Sequence, residues 1–248
     1  MKRDSEPAPD LLPADEVSRV LVVTAHPDDV DFGCAGTVAT WTAAGIKVEY
    51  CVVTDGQAGG FDPALDRAEI PRIRRLEQAA AASVVGVSDL HFLGYVDGEL
   101  TPALPLVRDL TRVIRQVRPD RMVIQSPERD WSTVGRSHPD HLAAGEAAYR
   151  AVYPAARNPF AFPELAAEGL EPWTVREVWV SGHPTYNHAV DVTETFELKL
   201  AAVLEHTSQH PSPDAIRPRL TEAFGRVARS FDLGDGHLAE PFFVARTG

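Results

Sequence analysis

Cysteine is nearly absent: the 248 residues include two, Cys34 and Cys51. Two thiols build no disulfide framework, so the fold must rest on an apolar core, and both, set among apolar neighbours, read as buried reduced thiols. Positive charge is also scarce. Lys plus Arg number 24 against 36 Asp plus Glu, a formal charge of −12. Nucleic-acid binding neutralises phosphates with a basic face, and beyond Arg72, Arg74 and Arg75 no cationic cluster offers one, so a general nucleic-acid binder is excluded. Long apolar runs are missing too, so no segment reads as a transmembrane helix and no membrane partner is expected. Met1 to Asp15 is polar and Pro-rich, without the apolar stretch of a secretory signal. Residues 1–18 read as a flexible N-terminal arm, and the chain reads as cytoplasmic.

What is present is a core. The hydrophobic fraction of 44% and charged fraction of 24% are those of a globular protein. Short β-branched runs at Arg19–Ala25, Val48–Thr54, Leu90–Leu93 and Arg121–Gln125 predict buried strands. Helices are predicted between and after them at Gly33–Gly45, Glu69–Val85, Leu104–Val117 and Pro139–Tyr153, with loops at Asp55–Asp66 and Ser126–Ser137. This alternation predicts an α/β fold, a Rossmann-like, mostly parallel sheet with helices on both faces. After an irregular stretch at Pro154–Pro172, the pattern continues with a strand at Val175–Val180. Helices follow at Glu194–His206 and Asp214–Arg229, then a strand at Glu240–Arg246. No linker or repeat breaks the chain, so residues 19–248 read as one domain.

The residues that carry chemistry form a pair of tetrapeptides. His26-Pro27-Asp28-Asp29 follows the first strand; His138-Pro139-Asp140-His141 opens the helix after the fourth. A His-Pro-Asp triplet is expected roughly 0.06 times by chance in such a chain, and here there are two. Each could by itself be a turn and a helix cap. Both, however, lie in strand-to-helix connections, hence on the carboxyl edge of the sheet where open α/β folds bind ligands. Together they bring imidazoles and carboxylates to one place. Two His and one carboxylate with an open position is a catalytic zinc arrangement, and imidazole suits zinc, iron or nickel better than magnesium or calcium. Either Asp28 or Asp29 could hold the metal while the other takes a proton; spacing does not assign them.

Further marks lie in the same order along the chain. They are Ala25 to Asp29 with Gly33 and Gly36-Thr37, Thr54-Asp-Gly56 with Gly59, Arg74-x-x-Glu77 running to Gly86-Val87, and Phe92 to Gly98. Asp191-Val-Thr193, Lys199 and His206-Thr-Ser-Gln209 come late. With these the chain resembles the LmbE-like, or PIG-L, de-N-acetylases, zinc-dependent hydrolases of N-acetylglucosaminyl substrates. The resemblance implies His26, Asp29 and His141 as ligands of Zn2+, with Fe2+ as an alternative. It implies Asp28 as general base, and His138 as the group that stabilises the oxyanion or protonates the leaving amine. Asp140 orients His138, and its charge should hold that imidazole protonated. Arg74 and Asp97 match sugar contacts, and many relatives form homo-oligomers.

Two departures stand out. Val30-Asp31 replaces the Glu that often follows the first motif, and Gln57 stands where a Glu is common. Asp31 then reads as a carboxylate behind or at the rim of the site. His183, His188, His206, Gln209 and the loop 128–136 stay open between substrate contact and packing. The leading expectation is a deacetylase of an amino-sugar conjugate. The alternatives are a metal-dependent amidase cutting a larger amide and, against the presence of Asp28, His138 and Asp140, a non-catalytic metal or sugar binder.

Overall fold

The computed structural model describes residues 9–248. Strands β1 (Arg19–Thr24), β2 (Lys47–Thr54), β3 (Asp89–Tyr95), β4 (Arg121–Gln125), β5 (Glu177–Ser181), β6 (His188–Asp191) and β7 (Ala239–Arg246) form one sheet, ordered β3-β2-β1-β4-β5-β7-β6. The pairs from β3 through β5 are parallel; β7 runs antiparallel to both β5 and β6. The helices are α1 (Asp29–Ala43), α2 (Ile70–Val84), α3 (Leu104–Val117), α4 (Pro139–Arg150), α5 (Pro163–Ala167), α6 (Phe196–Leu204) and α7 (Ile216–Ser230). The single α/β domain with a mostly parallel sheet is thus the one expected.

Side chains of a strand alternate between faces, and the core divides accordingly. Leu21 and Val23 of β1 join Met122 and Ile124 of β4 against Leu106, Leu110 and Ile114 of α3 and Ala144 and Ala148 of α4. Val20 and Val22 join Tyr50 and Val123 against Val30, Ala35 and Val38 of α1 and Ala81 and Ala82 of α2. A smaller cluster, Phe196, Leu200, Leu220 and Phe224, fastens α6 to α7. Burying each such side chain stabilises the fold by roughly 1.5–3 kcal/mol.

Three expectations need adjusting. The first helix starts at Asp29 rather than Gly33. A four-residue connection, 25–28, leads from β1 to α1, and Asp28, at φ 89°, turns the chain into the helix, so the polar motif makes up the end of the connection and opens the first turn. Strand β6 has no counterpart in the sequence reading; it is short, only partly buried, and lacks the apolar run that marks β1 or β4. Of the arm expected at 1–18, residues 1–8 lie outside the described residues. Leu12 and Val17 are buried, and the Leu12 N–H donates to Glu177 Oε1 at 2.8 Å.

Gly145 sets how closely α4 approaches the sheet. A Cβ at this position would stand 2.2 Å from the Gln125 carbonyl oxygen. The absent side chain lets the helix that begins with the second motif lie against the end of β4. Gly145→Ala is therefore expected to lower unfolding stability by about 1–3 kcal/mol through overpacking, read from the urea midpoint at constant slope.

Candidate metal centre

From β1 the chain runs outward to β2 and then β3, and returns to β4 on the other side of β1. The carboxyl ends of β1 and β4 therefore flank the point where the winding reverses, the place where such sheets open a crevice. His26 stands two residues beyond β1, and His138 and His141 follow the connection that leaves β4.

Donor atoms of three residues converge there. His26 Nδ1 lies 3.3 Å from His141 Nε2. One Asp29 oxygen lies 3.3 Å from His26 Nδ1 and the other 3.0 Å from His141 Nε2. A tetrahedral ion with bonds of about 2.0–2.1 Å holds its ligand atoms about 3.3–3.4 Å apart, so the set fits a divalent transition metal. Ligand atoms of His26, His138 and His141 also lie within 4.8 Å of one another, but Asp29 is nearer to the pair than that.

The opposite nitrogen of His26 is held from behind. Nε2 lies 3.0 Å from Asp97 Oδ1 and 3.3 Å from Asp140 Oδ2, the carboxylate-to-imidazole arrangement that fixes which nitrogen faces a metal. Burial alone would push His26 toward the neutral form, but Asp29 and Asp97 lift it to about 10. Against the cost of burial, His141 and His26 hold Asp29 well below the usual carboxylate range. Asp97 likewise opposes burial and falls to about 2 through His26, the Ala58 N–H and Arg74. The cluster thus calls for positive charge between Asp29 and the imidazoles. A metal would supply it in place of protons, and its binding would then weaken as acid competes.

Asp28 sits beside the ligands with a different balance. Burial, then the neighbouring Asp29 charge, raises it to about 7, against the pull of Arg74, whose Nη2 is 3.3 Å away. That places its proton exchange near neutrality, where a general base works best. Arg74 is 3% exposed. It donates to the Gly56 and Pro27 carbonyls, and a Cβ at Gly56 would fall 2.0 Å from its Nη1. The glycine marks of the second loop therefore make room for this guanidinium. Arg74 grips Asp28 from inside instead of presenting a free face to a sugar. Asp97 is similarly engaged, with His26 and the Ala58 N–H.

The pairing expected between Asp140 and His138 takes another form. The Asp140 carboxylate accepts from Gly98 N at 2.7 Å and Leu100 N at 3.3 Å and faces His26. Its contact with His138 runs through the backbone: Asp140 N–H donates to His138 Nδ1 at 3.2 Å, the cap of α4. His138 is accordingly not held charged. Its partial burial and then the imidazoles of His26 and His141 push it down. With Nδ1 an acceptor, the neutral ring carries its proton on Nε2.

Residues left open by the sequence divide. His206 is fully buried, its Nε2 2.8 Å from Asp31 Oδ2, so neither lines a pocket. Gln209 lines a cavity beside Asp28. His183 stacks on Phe243 and His188 packs on Trp179. In the loop 128–136, Trp131 and Val134 face solvent, while the side chain of Arg136 lies outside the described part. Glu77 does not pair with Arg74; it accepts from Thr207 and Ser208. The sequence reading missed Gln78, which carries no motif signal, and Glu240, which receives Lys199 Nζ at 2.7 Å and two N–H groups of α1.

Comparison with known proteins adds relatives. The family model for GlcNAc-PI de-N-acetylase, PIG-L, matches residues 21–152. A diacetylchitobiose deacetylase of Thermococcus kodakarensis is 33% identical over 199 residues, 80% of this chain and 73% of its own. A probable N-acetyl-alpha-D-glucosaminyl L-malate deacetylase 2 of Bacillus cereus is 33% identical over 197 residues, 77% of this chain and 83% of its own. The solved structure of N,N'-diacetylchitobiose deacetylase from Pyrococcus horikoshii with its inhibitor MPG superposes with a TM-score of 0.86 at 29% identity, covering 94% of this chain and 85% of that one.

The geometry separates the two adjacent carboxylates. Asp29→Ala is expected to lose the metal, and Asp28→Ala to keep about one ion per chain, measured by elemental analysis after desalting. The reverse result would exchange their roles.

Proposed function

The chain belongs to the PIG-L, or GlcNAc-PI de-N-acetylase, family, and on that premise we propose that it is a cytoplasmic zinc-dependent hydrolase removing the N-acetyl group from an N-acetylglucosamine-type conjugate. The observation that carries this reading is the juxtaposition of His26 Nδ1, His141 Nε2 and the two Asp29 carboxylate oxygens, in contacts of 3.0–3.3 Å, with a second carboxylate, Asp28, raised to about 7 beside them. The names of the deacetylase relatives supply the substrate class.

His26, Asp29 and His141 would hold the ion. When bound, the metal supplies Lewis acidity, which polarises an amide carbonyl and makes water easier to deprotonate. Asp28 takes a proton from the attacking water and returns it to the departing amine. His138, its Nδ1 capped by the Asp140 N–H, directs Nε2–H toward the oxyanion that develops on the acetyl carbonyl. A neutral donor serves that purpose, so the low basicity of His138 is compatible with the role. Asp97 and Asp140 hold His26 in the orientation that turns Nδ1 to the metal. Arg74 acts through Asp28 and the Gly56 loop.

Room for the conjugate lies next to the base. A cavity of about 370 Å³ is lined by Asp28, Phe32, Gln209, His210, Ala215 and Arg219, between the start of α1 and the start of α7. An acetyl group does not need such a volume, which lies within the range of small-molecule sites. The cavity suits the group attached to the amino sugar.

Metal-loaded protein is expected to release acetate from N-acetylglucosamine conjugates, and chelator-stripped protein to release none until the metal is restored. No release from any conjugate at full metal content overturns the reading in favour of a larger amide. Asp28→Asn should lower kcat by about 10²–10⁴-fold with the metal retained. Ala215→Trp, which fills the cavity, should raise KM for conjugates while leaving turnover of free N-acetylglucosamine unchanged; equal effects on both would remove the cavity from the substrate site.

A further inference from the structure

Asp28 holds an unusual backbone. Its φ of 89° and ψ of −25° lie where a residue with a Cβ is disfavoured, and it is one of few such non-glycine residues in the described chain. The conformation lets its carbonyl accept from the N–H groups of Asp31 and Phe32 at 3.0 Å each, starting α1 at once. It also points the Asp28 N–H inward, to Gln78 Oε1 at 2.9 Å. Pro27 has no N–H, so this bond and the Arg74 donation to the Pro27 carbonyl are inward backbone ties of the motif's centre.

A side-chain amide can serve as acceptor or donor depending on which way it is turned. Here its partners decide. Gln78 Nε2 donates to Asp31 Oδ2 at 2.9 Å, and His206 Nε2 donates to the same oxygen at 2.8 Å. A carboxylate on one side and an N–H on the other leave the Gln78 amide a single satisfying orientation. All three side chains are fully buried. Glu77, the neighbour of Gln78 on α2, binds Thr207 and Ser208 and so fixes where His206 enters. Among the described residues, Asp31 Oδ1 and His206 Nδ1 have no partner, a cost that an apolar pair would avoid.

We infer that Gln78, its amide orientation set by Asp31 and His206, is a positioning residue that holds Asp28 in its left-handed conformation and so aims the base at the metal-facing side of the site. The inference rests on the reading of Asp28 as base. None of the three touches the substrate cavity, and none is a metal ligand; they act through the backbone of Asp28.

The test compares Gln78→Met, which keeps the length and removes both bonds, with Asp31→Leu, Asp31→Asn and the Gln78→Met/Asp31→Leu double variant. Gln78→Met is expected to lower kcat about 10–100-fold with KM within about twofold, as displacement of a reacting group does, and to keep its metal. Asp31→Leu should lower kcat by the same factor, because the freed amide turns over, and the double variant should fall no further. Asn at 31 retains an oxygen for Gln78 Nε2, so Asp31→Asn should stay within about threefold of the parent. A crystal structure of Gln78→Met should show Asp28 at negative φ, a readout that does not depend on activity.

Unchanged kcat in Gln78→Met, losses that multiply in the double variant, or loss of metal together with activity overturns the inference. Should Gln78→Met not fold, Asp31→Leu against Asp31→Asn carries the same comparison. Asp28→Asn assayed alongside separates the two readings. If it is inactive while Gln78→Met is fully active, the positioning role alone fails; if Asp28→Asn is active, the base assignment fails.

Discussion

The strand-to-helix turn at Asp28 is the constraint on which the site depends. Because Asp28 turns the chain into α1 immediately before Asp29, two consecutive carboxylates face different partners within one turn. Asp29 faces His26 and His141, while Asp28 faces Arg74 and the cavity. A looser connection would separate them. The acidic residues Asp29 and Asp31 also fall in the first turn of α1, where the helix dipole favours negative charge.

Buried charge is balanced locally throughout this region. Lys199, fully buried, donates to the carbonyls of Asp31 and Phe32 and to Glu240, whose carboxylate in turn accepts from Gly36 and Thr37. On the far side, Glu177 receives Arg121 and Trp179 and reaches the N-terminal segment at Leu12. Removing one partner of such a pair strands the other in a low dielectric, so these contacts fix relative placement more than they add net stability. The first group ties α1 to α6 and β7; the second lies at the amino ends of β4 and β5, on the edge opposite the candidate site.

The layers themselves were the legible part of the sequence. Runs such as Val20–Val23 and Met122–Ile124 can be nothing but buried strands, and their alternation with helices determines on which edge both His-Pro-Asp segments fall. The convergence of His26, Asp29 and His141 could therefore be anticipated from residue type and topology together. What stood behind the site could not. Gln78 looks like any polar residue on a helix, because its task depends on Asp31 and His206, and His206 comes from a distant segment. Asp140 illustrates the opposite failure: adjacency to His138 in sequence suggested a side-chain pair. The helix start instead turns the carboxylate toward Gly98, Leu100 and His26 and leaves His138 to the backbone.

On the proposed function, chemistry and selectivity draw on different parts of this chain. The family model ends at residue 152, a span that contains every proposed metal ligand, the base and His138. The outer wall of the cavity, from Gln209 to Arg219, lies beyond it, on the segment that joins α6 to α7 and on the first turn of α7. That segment is anchored at one end by Glu77 and at the other by the apolar contact of Ile216 and Leu220 with α6. Between these anchors, Pro211, Ser212 and Ala215 are exposed and can vary without disturbing either anchor. The proposed metal site is thus built onto the sheet edge, whereas the cavity wall is carried by a short connection held at its ends and, through His210, to Val203 and Phe32. Changes of conjugate among relatives would be accommodated there at little cost to the fold, since a surface connection tolerates substitution that a strand-end motif does not.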